Sequence, residues 1–182
     1  MSTTANAVTA GTWQLDPTHT EIGFTVRHLM SKVRGKFETF EGSIVTAENV
    51  ADSSATVTVD LSSINTGTAD RDAHLRSADF FNAETHPSMT FVLTGVEQKS
   101  DDEFVATGDL TIKDVTKSIT LDVDYLGQGG DPWGGTRVGF EASGVISRKD
   151  WGIDFNIPVA GEKMMIGDKI TLAITGEGVL QA

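Results

Sequence analysis

Phe104–Tyr125 reads FVATGDLTIKDVTKSITLDVDY. Phe104, Ala106, Gly108, Leu110 and Ile112 share one side of an extended chain, and Val105, Thr107, Asp109 and Thr111 share the other. After Lys113-Asp114 the alternation resumes, with Ile119, Leu121, Val123 and Tyr125 set against Thr120, Asp122 and Asp124. A period of two marks a half-buried strand, and so short a connection makes the pair a hairpin. The same alternation recurs in Glu21–His28, Ala55–Leu61, Met89–Thr94, Arg137–Ile146 and Ile170–Gly178. Many strands with one apolar face predict an all-β fold, an extended antiparallel barrel of about eight strands with one or two short helices. Closure removes the edge strands that so strand-rich a chain must otherwise protect.

The chain has 182 residues, enough for one domain with a sizeable core. Residues 1–10 read as a flexible tail and residues 11–182 as the barrel domain. A net charge of -12 argues against a nucleic-acid partner and against docking on anionic membrane by charge alone. The absence of Cys removes disulfide and thiol chemistry. No stretch has the length and apolarity of a membrane helix, so an integral membrane protein is not expected. The opening MSTTANAVTA lacks a basic segment followed by an apolar run. The expectation is a cytoplasmic protein, or a periplasmic or secreted one if a leader was removed.

Several stretches depart from the pattern. Thr68–Pro87, TADRDAHLRSADFFNAETHP, reads as a short helix over Arg71–Ala78 capped by Asp70, with an apolar patch of His74, Leu75, Ala78, Phe80 and Phe81. It would close one end of the barrel. His28-Leu29-Met30 starts an irregular or helical turn, and Gly35–Thr46 resumes strand with a slip of parity, which a bulge near Glu38-Thr39 would repair. Gly127–Gly135 is a flexible hairpin connection. Met164-Met165-Ile166 either lines a mouth or fills a gap.

Small inward residues (Ala55, Ala106, Gly108, Ala142, Gly144, Gly176 and Gly178) either leave a ligand space or ease barrel corners. The four His form no metal-ligand pattern, and no nucleophile elbow occurs, so neither metal, cofactor nor catalysis is expected. His28 continues the Ile22, Phe24, Val26 face; its ring either bonds a backbone carbonyl or buried carboxylate or meets a ligand's polar group. Trp151, in Ser147–Gly152, either caps the core or anchors a headgroup.

Blocks spread from Trp13 to about Gly178 carry a resemblance: Trp13-Gln14-Leu15-Asp16-Pro17-Thr18-His19, Ile22–His28, Val33–Phe37 with Phe40-Glu41-Gly42, Asp70–Phe81 with His86-Pro87, Gly108–Ile112 with Val115-Thr116-Lys117, and Ile146–Gly152. In this order and spacing they resemble the YceI-like family of polyisoprenoid-binding proteins. The resemblance implies a bacterial, lipocalin-like barrel with a hydrophobic pore for isoprenoid or other amphiphilic chains. The family's usual Gly after Thr-Ile-Lys is Asp114 here.

The resulting expectation is a non-enzymatic carrier or store of a polyisoprenoid, an isoprenoid quinone or another long-chain amphiphile. Phe24, Val26, Phe40, Val59, Phe91, Leu110, Leu121, Phe140 and Ile174 would contact the tail, with Ala142 lining the pore and Phe80 in the lid. His28, His74, Arg71 or Arg148 would meet a headgroup. Ten residues of tilted strand give roughly 25 Å of barrel height. A forty-atom tail at about 0.3 kcal/mol per atom would bind with about 12 kcal/mol, in the nanomolar range. The alternatives are an enzyme acting on a lipid in the same pore and a stress-response protein with a filled core. A homodimer through the outer strand faces is open.

Overall fold

The computed structural model describes residues 8–157 and 165–181. The expected tail falls largely outside that range, as does Met164. The chain forms β1 (Gly11–Leu15), β2 (Glu21–His28), β3 (Ser31–Phe37), β4 (Phe40–Thr46), β5 (Ser54–Asp60), β6 (Ile64–Asn65), α1 (Ala69–Arg76), β7 (Ser88–Gln98), β8 (Glu103–Ile112), β9 (Val115–Gly130), β10 (Thr136–Ser147) and β11 (Ile166–Leu180). Short 3-10 turns cover Val50–Asp52, Leu61–Ser63 and Arg148–Trp151.

All strand pairs are antiparallel, and β1-β4-β5-β7-β8-β9-β10-β11 closes on itself through a β11–β1 pairing. The barrel has the expected eight strands, and of the one or two short helices expected, one α-helix is present among the described residues. β11 pairs with β10 along one edge, while its other edge carries β2 from Ile166 to Thr175 and then β1 from Gly178 to Leu180. The β2–β3 hairpin and β6 therefore build the lower wall, where β1 does not reach.

Two expectations near this wall are corrected. The parity slip at Glu38-Thr39 is a change of partners: β3 ends at Phe37 against β2 and β6, and β4 starts at Phe40 against β1 and β5. Glu38 N–H donates to Ser63 O, and Thr39 O accepts from Asp60 N–H, so each residue already faces a different neighbour. His28-Leu29-Met30 is not irregular either. Leu29-Met30 is a two-residue turn with Leu29 at φ 55°, and His28 faces Ser31. The register shifts instead at Leu93/Gly95, at Gly139/Phe140 and, where β11 meets β2, between Ile166 and Ile170.

The helix begins and ends two residues earlier than expected. Thr68 is its extended N-cap residue, and Asp70 lies inside the first turn. Buried Asp72 secures the entry by accepting from Thr66 N–H at 2.8 Å and Thr66 Oγ1–H at 2.5 Å. Arg71 donates to Thr66 Oγ1 and to Thr66 O, both at 2.7 Å. Its guanidinium is thus committed to the helix entry.

Apolar residues collect in two groups. One surrounds Ala106, Leu110, Ile119, Leu121, Ala142 and Trp151 inside the barrel. The other is a solid plug of Phe37, Phe40, Val59, Leu61, Ile64 and Ala83 under the lower wall. Leu75, Phe81 and Met89 pack against both.

The β8–β9 turn places Lys113 at φ 53° and Asp114 at φ 64°. Two successive left-handed residues define the hairpin turn that favours Gly, and neither residue here is Gly. Asp114→Gly is expected to stabilise the chain by about 0.5–1 kcal/mol. A melting temperature raised by about 2 °C is the corresponding readout; an unchanged or lowered value would show that the turn carries no strain.

Candidate functional site

The inward-facing side chains do not fill the barrel. They enclose a cavity of about 780 Å³ with walls of Ile, Leu, Val and Phe from all eleven of these strands and from the segment around Phe80 and Phe81. Phe24, Val26, Val59, Phe80, Phe91, Leu110, Leu121, Phe140, Ala142, Trp151 and Ile174 all stand in its lining. Among the expected contacts, Phe40, His28 and His74 are outside it. Phe40 shares the inward parity of Ile44 on β4, but at the level where β4 begins the interior is packed with Phe37, Leu61, Ile64 and Ala83, so Phe40 belongs to the plug. His28 ends β2 beside the turn, half-buried. His74 Nε2 faces Asp79 Oδ2 at 2.9 Å, and its ring packs edge-on to Phe80 and Phe155.

The two ends of the cavity differ. At one end the lining includes the exposed residues Glu48, Asn49, Ala51, Glu97 and Gln98, so the cavity opens between the β4–β5 and β7–β8 connections. At the other it is floored by buried Phe80, Ile112, Arg148, Trp151 and Ile153. The mouth is therefore opposite α1. The polar residues expected to meet a headgroup, His28, His74, Arg71 and Arg148, stand at or near the closed end.

Trp151 and Arg148 hold that floor. Trp151 is 2% exposed, and its Nε1–H donates to Leu110 O at 2.9 Å. The 3-10 turn that carries both residues ends at Gly152 in the left-handed region, φ 73°. Arg148 donates to Gly167 O, Ile153 O and Phe155 O at 2.8–2.9 Å, tying the chain after Trp151 to the start of β11. Burial weakens its hold on the proton, opposed by the charges of Asp168 and Asp154. A buried cation with its donors used in this way is a structural pin.

The small inward residues divide. Ala55, Ala106 and Ala142 line the cavity, whereas several glycines lie under aromatic rings. Phe24 lies over Gly35, Phe91 over Gly108 and Phe140 over Gly176. A Cβ at Gly176 would stand 2.6 Å from Phe140 Cζ. These glycines allow the rings to lie flat on the wall, so they preserve the lumen without being its empty volume.

The ionisable groups of the lining are Glu48 and Glu97 at the mouth, Tyr125, and Arg148 on the floor. Burial pushes the Tyr125 phenol above its ordinary pKa. The alternation of β9 places this residue inward, but only the closed barrel shows which of its ends is open.

Outside the wall, Asp16, His19 and Glu177 converge. No local spacing revealed this group, because Glu177 comes from the far end of the chain. Arg137 already supplies its cation, with its NH1 group 2.6 Å from Asp16 Oδ2 and 3.1 Å from Glu177 Oε2. Arg137 Nε donates to Asp131 Oδ2 at 2.9 Å. Asp131 also accepts from Gly135 and Trp133 N–H, which makes Asp131–Gly135 an ordered turn, while Gly127–Gly130, expected as part of a flexible connection, belong to β9 and pair with β10. Arg137 and then His19 hold the Asp16 carboxyl well below the usual range. The Gly135 N–H is the largest influence lowering Asp131, against a partial opposing effect of burial, with Arg137 adding to it.

The architecture is that of a hollow, closed antiparallel barrel of the lipocalin-like class. The chain belongs to the YceI-like family, since a YceI-like domain matches residues 13–178. Protein YceI of Escherichia coli O157:H7 is 40% identical over 181 residues, covering 97% of this chain and 91% of its own. UPF0312 protein plu2095 of Photorhabdus laumondii is 41% identical over 179 residues, covering 96% and 90%. The crystal structure of the Campylobacter jejuni YCEI protein superposes with a TM-score of 0.73 at 31% identity, over 86% of this chain and 90% of that one. A polyisoprenoid binding domain from Saccharophagus degradans, implicated in plant cell wall breakdown, shares the fold with a TM-score of 0.68 at 16% identity, over 93% and 98%.

The depressed Asp16 and Asp131 carboxyls bind protons more readily in the unfolded chain. Their stabilisation is complete above the ordinary carboxylate pKa, near pH 4, and is lost as pH falls toward their native values. Arg137→Gln is expected to lower stability at neutral pH and to flatten the decline between about pH 4 and pH 2. Urea unfolding across that range measures both; an acid limb as steep as the parent's would remove Arg137 as its source.

Proposed function

We propose that this protein binds one long apolar amphiphile, with the tail in the barrel and the polar end at the mouth, as a carrier or store. The observation that carries this reading is an apolar cavity with an exposed rim at one end and a buried floor at the other. The family of the chain and the polyisoprenoid binding domain among its structural neighbours favour an isoprenoid tail. Binding fits better than turnover, because the ionisable groups of the lining lie toward opposite ends and Arg148 is committed to carbonyls.

The volume limits the tail. At roughly 30 Å³ per non-hydrogen atom the cavity holds about 26 atoms, or about five isoprene units. At about 0.3 kcal/mol per atom the enclosed part gives about 8 kcal/mol, which is micromolar binding. Glu48 at the mouth disfavours a phosphorylated head and favours a neutral one, such as an alcohol or a quinone, while Glu97 is paired with Lys99 at 3.0 Å.

Extraction of the purified protein into organic solvent, followed by mass spectrometry, tests the ligand class; recovery of no chain-like lipid, together with no binding of added prenols, would reject the reading. In titrations with prenols of increasing length, affinity is expected to rise to about five units and then level off. A continued rise would mean that the tail is not confined to the cavity.

Ala142→Phe is expected to lower affinity for the longest prenols by at least tenfold, because the ring would enter the lumen. Melting temperature should hold or rise, since a void is filled rather than a packed core strained. Strong destabilisation with unchanged binding would place Ala142 in solid packing.

A further inference from the structure

The β2–β3 hairpin has a charge opposite to that of the molecule. Glu21–Phe37 holds four of the fourteen Lys and Arg residues and a single acid, in a chain of net charge -12. All four cations are exposed on the outer face. Lys32, Arg34 and Lys36 alternate with the inward Val33, Gly35 and Phe37, while Arg27 stands directly opposite Lys32. Like charges on one cross-strand rung destabilise a hairpin. Among the described residues none of the four makes a salt bridge.

The tip of the same hairpin is apolar. Met30 is 102% exposed and Leu29 is 45% exposed. Arg27 NH1 donates to Leu29 O at 3.0 Å, which braces the turn in this form. Tight pairing from Ile22↔Phe37 to His28↔Ser31 makes the hairpin a rigid presenter of these groups.

We infer that the β2–β3 hairpin docks on an anionic lipid bilayer. Met30 and Leu29 enter the headgroup region while Lys32, Arg34, Lys36 and Arg27 lie against the charged surface. An exposed row of cations beside an apolar tip is the chemistry of interfacial binding. Net charge opposes a general attraction, so the contact is local to this hairpin and keeps the acidic mouth away from the surface.

Flotation of the full chain with vesicles tests this. The probes are phosphatidylcholine alone, phosphatidylcholine with phosphatidylglycerol at about three to one, and a duplex DNA oligonucleotide, at about 50 mM and about 300 mM salt. Binding is expected to the phosphatidylglycerol vesicles at low salt, with little to the neutral ones. Lys32→Glu/Arg34→Glu should reduce the partition coefficient by at least twentyfold, from about fivefold per cation removed. Met30→Asp, at a fully exposed position, should reduce it severalfold with an unchanged melting temperature. No binding to anionic vesicles, equal binding to neutral ones, or binding by the charge-reversed variant at the parent level would overturn the proposal. DNA binding as tight as vesicle binding and indifferent to Met30→Asp would also overturn it, by showing a face that reads charge alone.

Discussion

Two edges of one strand hold the barrel together. β11 meets β10 along almost its whole length on one side, and on the other it is shared between β2 and β1. Backbone donors and acceptors buried away from water must be paired, so this division decides which segments can be wall at each level. Where β1 takes over from β2, Thr20 Oγ1 reaches Glu177 O and accepts from Glu177 N–H, bridging the handover. The lower wall, the plug beneath it and the helix that seals it all follow from β2 having turned away there.

A hollow interior in a chain of this size requires that the walls resist collapse. Aromatic rings laid over Gly35, Gly108 and Gly176 thicken the wall without projecting far into the lumen. The floor is held differently, by polar groups whose bonding is nearly complete. Trp151 hangs from a strand carbonyl, and Arg148 gathers carbonyls from the segment after Trp151 and from the start of β11, which Asn156 and the Met165 N–H to Ile157 O bond also join. The plug is packed between walls and floor, where Phe37 and Phe40 lie on either side of a change in strand partners, and Phe37, Val59 and Ile64 of the plug also face the cavity.

Strand alternation was legible in the sequence because a period of two needs only neighbouring residues. It correctly set Phe24, Phe91, Leu110, Leu121 and Phe140 inward, and those residues line the cavity. Phe40 shows the limit of that reasoning: inward parity does not tell lumen from plug, which depends on where β3 gives way to β4. The residues expected near a headgroup lie toward the closed end for a similar reason. His28 and His74 carry attractive chemistry, but whether an end is open depends on loops such as 47–53, whose residues announce nothing locally. The Asp16–Arg137–Glu177 group was invisible because its members meet only when the first and last strands pair. Asp72 outcompeted Asp70 as the helix's anchor because it is buried against Thr66, a tertiary fact.

The buried floor also governs traffic. With one opening among the described residues, the vessel cannot be flushed through: whatever water occupies it must pass outward beside the entering chain. Filling is then a counterflow in a narrow neck, and emptying requires solvent to return along the same route before the void can be relieved. Each further segment of the tail lengthens both exchanges. Occupancy by a long guest would consequently change slowly even where its equilibrium affinity is modest, and the guest would emerge in the reverse of its order of entry, polar end first.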